Sequence, residues 1–173
     1  VIVPLLGNEI TPTTLIEIGA SLNSRSKIQA LNIIEVPDQT SLDAFLEKKP
    51  KTKSLERIIK RLDNHMQQNI YFESIATHKL SETMQILSEI TNIKWLILSW
   101  NGRSYNGIFF NNPIGWIISH INCNFALFKC NGVTEFNNVL LSIRHNSHDL
   151  RKLIASTNSL CEYFNADFTL LHV

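Results

Sequence analysis

Three cysteines in 173 residues, Cys123, Cys130 and Cys161, form no CxxC pair. An odd, unpaired set excludes a disulfide framework and a thiolate zinc site, and reads as buried thiols in a reducing compartment. Neither charge is in excess: 16 Lys and Arg face 15 Asp and Glu, for a formal net charge of +1. Dedicated nucleic-acid binders concentrate basic residues on one face, so that class is set aside. A lipid-spanning run is missing too. The most apolar stretch, Ile108 to Phe128, is interrupted by Asn111, Asn112, Pro113, Asn122 and Asn124, whose amides would be costly in hydrocarbon. The charged start, apolar run and cleavage pattern of a signal peptide are likewise absent. Catalytic signatures are as scarce. No GxSxG elbow surrounds a serine, and Ser142, His145 and Asp149 fall in a strand, turn and helix start that does not bring them into relay. The six histidines are scattered, with His145 and His148 in one turn and no third ligand at fixed spacing for a metal.

What the chain does have is a core's worth of apolar residues, 44%, against 18% charged. A chain of this size buries most of its apolar surface and needs no metal or disulfide to fold. Val1 to Leu6 reads as a strand and Gly7-Asn8 as a turn, with Thr11 and Pro12 opening a helix over Thr13 to Asn23. Ile28 to Val36 is a second strand. Pro37 to Lys53 reads as a polar loop whose lysines 48, 49, 51 and 53 are solvated rather than an anion patch. Leu55, Ile58, Ile59, Leu62 and Met66 sit at helical spacing within Leu55 to Gln68. Ile70 to Thr77 alternates as a third strand, Ser81 caps a helix over Glu82 to Thr91, and Ile93 to Trp100 is the most apolar strand, placed at the centre of a sheet. A helix from about Pro113 to His120 and a strand from Asn124 to Lys129 follow. Strands alternating with helices predict right-handed βαβ units and a mostly parallel, doubly covered sheet.

After Cys130-Asn131-Gly132 the pattern starts again. Val139 to Ile143 is a strand, His148 to Tyr163 a helix and Asp167 to Val173 a strand, in the order of Val1 to Val36. A repeat of this length predicts tandem domains: residues 1–132 form one α/β domain, and residues 133–173 the opening β-α-β unit of a truncated second copy. The opening on Val1, without methionine and inside a strand, predicts a piece cut from a longer polypeptide.

Five segments in this order resemble the universal stress protein family. VIVPLL-Gly7-Asn8 sits where that family has V-P-x-D-G-S, and Ile33 to Pro37 is similar to the IEVP exit of members fused to membrane transporters. Leu96 to Arg103 resembles their ILGWKG segment, and His120 to Lys129 their APCDVxVVK ending. Phe164 to Val173 resembles a second member's GAELTLLHV. The resemblance covers nearly the whole chain, with Val1 to Lys129 as the complete unit. It implies a five-stranded parallel sheet of order 3-2-1-4-5 with helices on both faces, akin to the adenine-nucleotide alpha hydrolases and often paired through its last strand. It also implies that ATP or another adenine nucleotide is a ligand of many members, held at the carboxyl ends of the strands where strands 1 and 4 diverge.

The family's nucleotide signature, Gly-x-x-Gly, about nine residues, then Gly-Ser or Gly-Thr, is degenerate here. Its glycines fall on Ser99, Gly102 and either Asn111 or Asn112, and its hydroxyl on Asn112 or Pro113. The acid that ends strand 1 in binders is Leu6. A side chain replaces a glycine that lets phosphate approach the backbone, although asparagine tolerates left-handed backbone and offers a donor. By resemblance the pocket residues are Leu5, Leu6, Ile33, Ser99, Gly102, Asn111 and Asn112. Trp100 could stack on a base, but packing is the favoured reading of Trp95, Trp100 and Trp116. Phe109 and Phe110 suit an exposed patch for a partner or helix-to-core contacts equally.

The resulting expectation is a non-catalytic regulatory module with a degenerate nucleotide pocket, at the cytoplasmic face of a membrane as part of a transporter. The parents implied are amino-acid permeases, cation/proton antiporters and chloride channels. No cofactor is required, although ATP or another adenine nucleotide is an admissible ligand. Expected partners are a second universal-stress-type domain in the same or another chain, the transporter's membrane domain and a second copy paired along Asn124 to Lys129. The alternative is a stand-alone universal stress protein that binds ATP or a related adenine nucleotide.

Overall fold

The computed structural model describes residues 1–7, 9–22, 27–39, 41–42, 50–66, 69–90, 92–100, 113–133, 135–144 and 149–173. Strand β1 (Ile2–Leu5) leads into helix α1 (Pro12–Leu22), then β2 (Ile28–Glu35), α2 (Pro50–Met66), β3 (Ile70–Thr77), α3 (Leu80–Ile90), β4 (Trp95–Ser99), α4 (Pro113–His120) and β5 (Asn124–Phe128). The five strands form one sheet in the order β3-β2-β1-β4-β5, and every pairing is parallel. The strand order expected from the resemblance is therefore present. β1 is the central strand, and the more apolar β4 lies beside it, between β1 and β5.

Alternate strand residues face opposite layers. Val3, Leu5, Ile28, Ala30 and Ile97 join Leu15, Ile16, Ile18 and Ala20 of α1 and Ile59 of α2 in one core. Ile2, Leu31, Ile33, Leu96 and Leu98 join Leu80 and Met84 of α3 and Ile117 of α4 in the other. Gly19 faces the sheet at close approach. A Cβ there would come 3.2 Å from Val1 Cγ1 and 3.3 Å from Val3 Cγ2.

Two helix starts and one buried-face assignment in the first unit depart from the sequence expectation. Helix α2 starts at Pro50, so Lys51 and Lys53 belong to its first turn rather than to a loop; proline's fixed φ favours that first position, and a charge run conceals the start. Lysines 48 and 49 lie outside the described residues. Ser81 lies inside α3 rather than capping it. The hydroxyl of Thr77 accepts instead, from the Lys79 N–H at 3.0 Å and the Thr83 hydroxyl at 2.8 Å. Ile58, assigned to the apolar face of α2, is exposed.

The repeated segment folds as β6 (Asn138–Ile143), α5 (Leu150–Phe164) and β7 (Asp167–His172). The two strands pair in parallel, with Val139 opposite Phe168 and Leu141 opposite Leu170, as a separate two-stranded sheet. Helix α5 ends on Asn165 in the left-handed region, φ 52°, and the Ala166 N–H closes on the Cys161 carbonyl at 2.9 Å. This unit docks on the first through α5 and α1. Leu160 and Phe164 pack against the first core, and Phe136 bridges Phe128 at 5.8 Å and Phe164 at 4.7 Å between ring centroids.

Candidate functional site

Open α/β sheets take ligands at the carboxyl ends of their strands, where the chain reverses its order across the sheet. Here that point lies between β1, followed by β2 and β3 on one side, and β4, followed by β5 on the other. Ser99 ends β4 there, partly exposed. Leu6 follows β1, half-buried against the second core. Leu5 and Ile33 are 0% and 3% exposed, one in each core. Their side chains pack the two faces of the sheet rather than a pocket. Gly102, Asn111 and Asn112 lie outside the described residues, as do Phe109, Phe110, His145 and His148. Four of the seven expected pocket positions are therefore placed, and two of those carry core side chains.

A residue that motif reading passed over sits at the same point. The Leu6 N–H donates to Glu9 Oε1 at 2.6 Å and the Gly7 N–H to Glu9 Oε2 at 2.9 Å. Gly7 has φ +83°, the left-handed region that glycine enters without a Cβ penalty. One carboxylate thus takes two consecutive backbone donors at the end of the central strand. The local signal was an acid two residues after a turn glycine, which has no periodicity to mark it.

Four further residues lie at this end. The Trp100 ring is exposed, and Lys129 Nζ lies 5.8 Å from its centroid. The Thr11 hydroxyl, just ahead of α1, donates to Cys130 Sγ at 3.2 Å. That contact, with the Gly132 N–H second, holds the Cys130 thiol below its ordinary pKa. Burial pushes Cys123 and Cys161 the other way. Cys130 and Cys161 are buried as expected, whereas Cys123 is partly exposed.

The described histidines do not converge. His65 lies in the last turn of α2, His78 contacts the Val36 carbonyl at 3.2 Å, and His120 stacks on Trp116 at 4.4 Å. No group of three or more metal-capable side chains occurs among the described residues. A cleft of about 560 Å³ lined by Gln85, Glu89, Asn92, His120 and Asn122 lies at the amino ends of β4 and β5. That is the end of the sheet away from the strand-1 and strand-4 crevice, so it is set apart from the candidate site.

The chain matches no protein-family model and no curated protein. Among solved structures it is similar to a universal stress protein, UspA from Lactobacillus plantarum, with a TM-score of 0.54. The fold is that of a universal stress protein. The superposition covers 96% of that protein and 74% of this chain, at 12% sequence identity. Identity that low speaks for the universal-stress fold alone. Its five-stranded order is present here with β6 and β7 as an additional pair. No helix among the described residues is long and apolar enough to cross a membrane.

Proposed function

We propose that this chain is a non-catalytic regulatory module of the universal-stress type, carried at the cytoplasmic face of a membrane transporter and holding a degenerate nucleotide pocket. The observation that carries the reading is the end of β1. Leu6 stands where nucleotide-binding relatives of this fold place an acid, and it is packed half-buried against the second core. The donors beside it are taken by the chain's own Glu9. The mechanism would be a shift in population, set by a ligand or neighbouring domain that prefers one arrangement of the units.

Residues 133–173 are read as the first β-α-β of a second unit, following the sequence repeat. Support comes from the parallel pairing of β6 with β7 and from Leu140 and Leu171, exposed on strands whose counterparts in β1 and β2 are largely buried. Pairing of two copies along Asn124 to Lys129 draws support from the edge position of β5 and the exposed Leu127 on it. The transporter assignment rests on the sequence resemblance. It is tested by probing cells for the native polypeptide with an antibody raised against this chain. The reading expects the signal in membranes washed with alkaline carbonate, and recovery in the soluble fraction would refute it.

A stand-alone nucleotide binder is the second reading. Trp100, exposed at the carboxyl end of β4 beside Lys129, favours it by offering a stacking face and a cation together.

A further inference from the structure

A carboxylate that receives two consecutive main-chain N–H groups, one on each oxygen, occupies the geometry in which a phosphate or another oxyanion is held. Glu9 does this at the carboxyl end of β1, at 2.6 Å from the Leu6 nitrogen and 2.9 Å from that of Gly7. The turn runs on toward the amino end of α1, an 11-residue helix that starts at Pro12, and a helix start adds a favourable field for negative charge. Among the described residues, a Cβ built on Gly7 meets nothing within 4 Å beyond its chain neighbours, so none of them stands between that side of the turn and an external group.

From these contacts we propose that the β1–α1 turn is an oxyanion subsite whose built-in occupant is the Glu9 carboxylate, and that an external phosphate group binds there only when Glu9 swings out. The inference rests on the reading of a degenerate nucleotide pocket and deepens it, because it assigns part of the lost affinity to a reversible internal competitor. Competition between an internal and an external anion for the same two donors costs the ligand the local occupancy of Glu9. That acid is tethered two residues away, at high effective concentration. The energetic bias is local, and swinging one surface side chain requires no change in the sheet.

The test compares the wild-type 173-residue chain with Glu9→Ala and Glu9→Gln, using inorganic pyrophosphate as the probe in titration calorimetry. Amide chemical shifts of Leu6 and Gly7 are followed in the same titration. The subsite predicts that Glu9→Ala binds pyrophosphate at least tenfold more tightly than wild type, with both amides shifting as the probe is added. Glu9→Gln, which keeps one neutral acceptor, is expected to gain less, and it carries the test if Glu9→Ala does not fold. Equal affinity in wild type and a folded variant would overturn the proposal, as would a gain in affinity that leaves the Leu6 and Gly7 amides unmoved. Titration of wild type with ATP separates the two readings. Tight ATP binding with those amides still held by Glu9 would refute the degenerate pocket, while the pyrophosphate comparison would still decide the subsite.

Discussion

Replacing Phe136 by alanine tests whether the second unit is held by its aromatic contacts to the first. The ring is partly buried, packs against the core beneath α1, and touches Phe128 and Phe164. Truncating a fully buried phenylalanine costs about 3–5 kcal/mol, and each ring pair contributes about 0.5–1.5 kcal/mol beyond area. Partial burial places the cost at about 2–3 kcal/mol, below the value for a fully buried ring. The loss should be local. All three tryptophans, Trp95, Trp100 and Trp116, lie in the first unit, so their fluorescence reports its unfolding in urea. Hydrogen exchange of peptides spanning 135–173 reports the second unit. The substitution is expected to raise exchange in those peptides roughly 30- to 140-fold while the tryptophan transition stays within about 0.5 kcal/mol. A tryptophan transition displaced by the full amount, or unchanged exchange in 135–173, would refute local docking through this ring.

Two further outcomes follow from particular residues. Asn165 holds the C-cap of α5 at φ 52°, so Asn165→Gly should be at least as stable as wild type and exceed Asn165→Ala by about 1 kcal/mol in chemical denaturation; equal stability of the two variants would argue against the left-handed cap. Burial holds the Glu17 carboxyl above its ordinary pKa, with His65 partly offsetting it. The folded state therefore binds that proton more readily than the unfolded chain, and Glu17 lowers stability as pH rises from the unfolded pKa, about 4.3, through the raised folded one. Glu17→Gln should melt higher than wild type at pH 7 and lose that advantage at about pH 4 and below, whereas a pH-independent difference would contradict the assignment.

Much of the first unit was legible because apolar periodicity is written into each element. Ile70–Thr77 and Pro113–His120 have the bounds read from their pattern. The start of α2 was hidden because Lys51 and Lys53 of its first turn belong to a charge run, which periodicity reads as loop. The docking of α5 on α1 through Leu160 and Phe164 joins residues far apart in sequence, and no local pattern encodes which face of an amphipathic helix meets which neighbour. The candidate site was legible at the level of position. Ser99 and Leu6 stand at the carboxyl ends of β4 and β1 as motif alignment placed them, but alignment cannot tell a pocket side chain from a core one. Leu5 and Ile33 went into the two cores because alternate residues of an interior strand must face the covering helices. Glu9 escaped notice because a side chain bonding nearby backbone donors depends on turn geometry rather than on residue class.

The account stands most directly on titration of the folded wild-type chain with ATP, AMP and a cyclic dinucleotide, with heat as the readout. Leu6 at the end of β1 and Glu9 on its amide donors predict no dissociation constant below about 100 μM, that is, nothing tighter than about −5.5 kcal/mol. A constant below that value for any of the three would contradict the degenerate pocket and make the chain a nucleotide sensor in its own right.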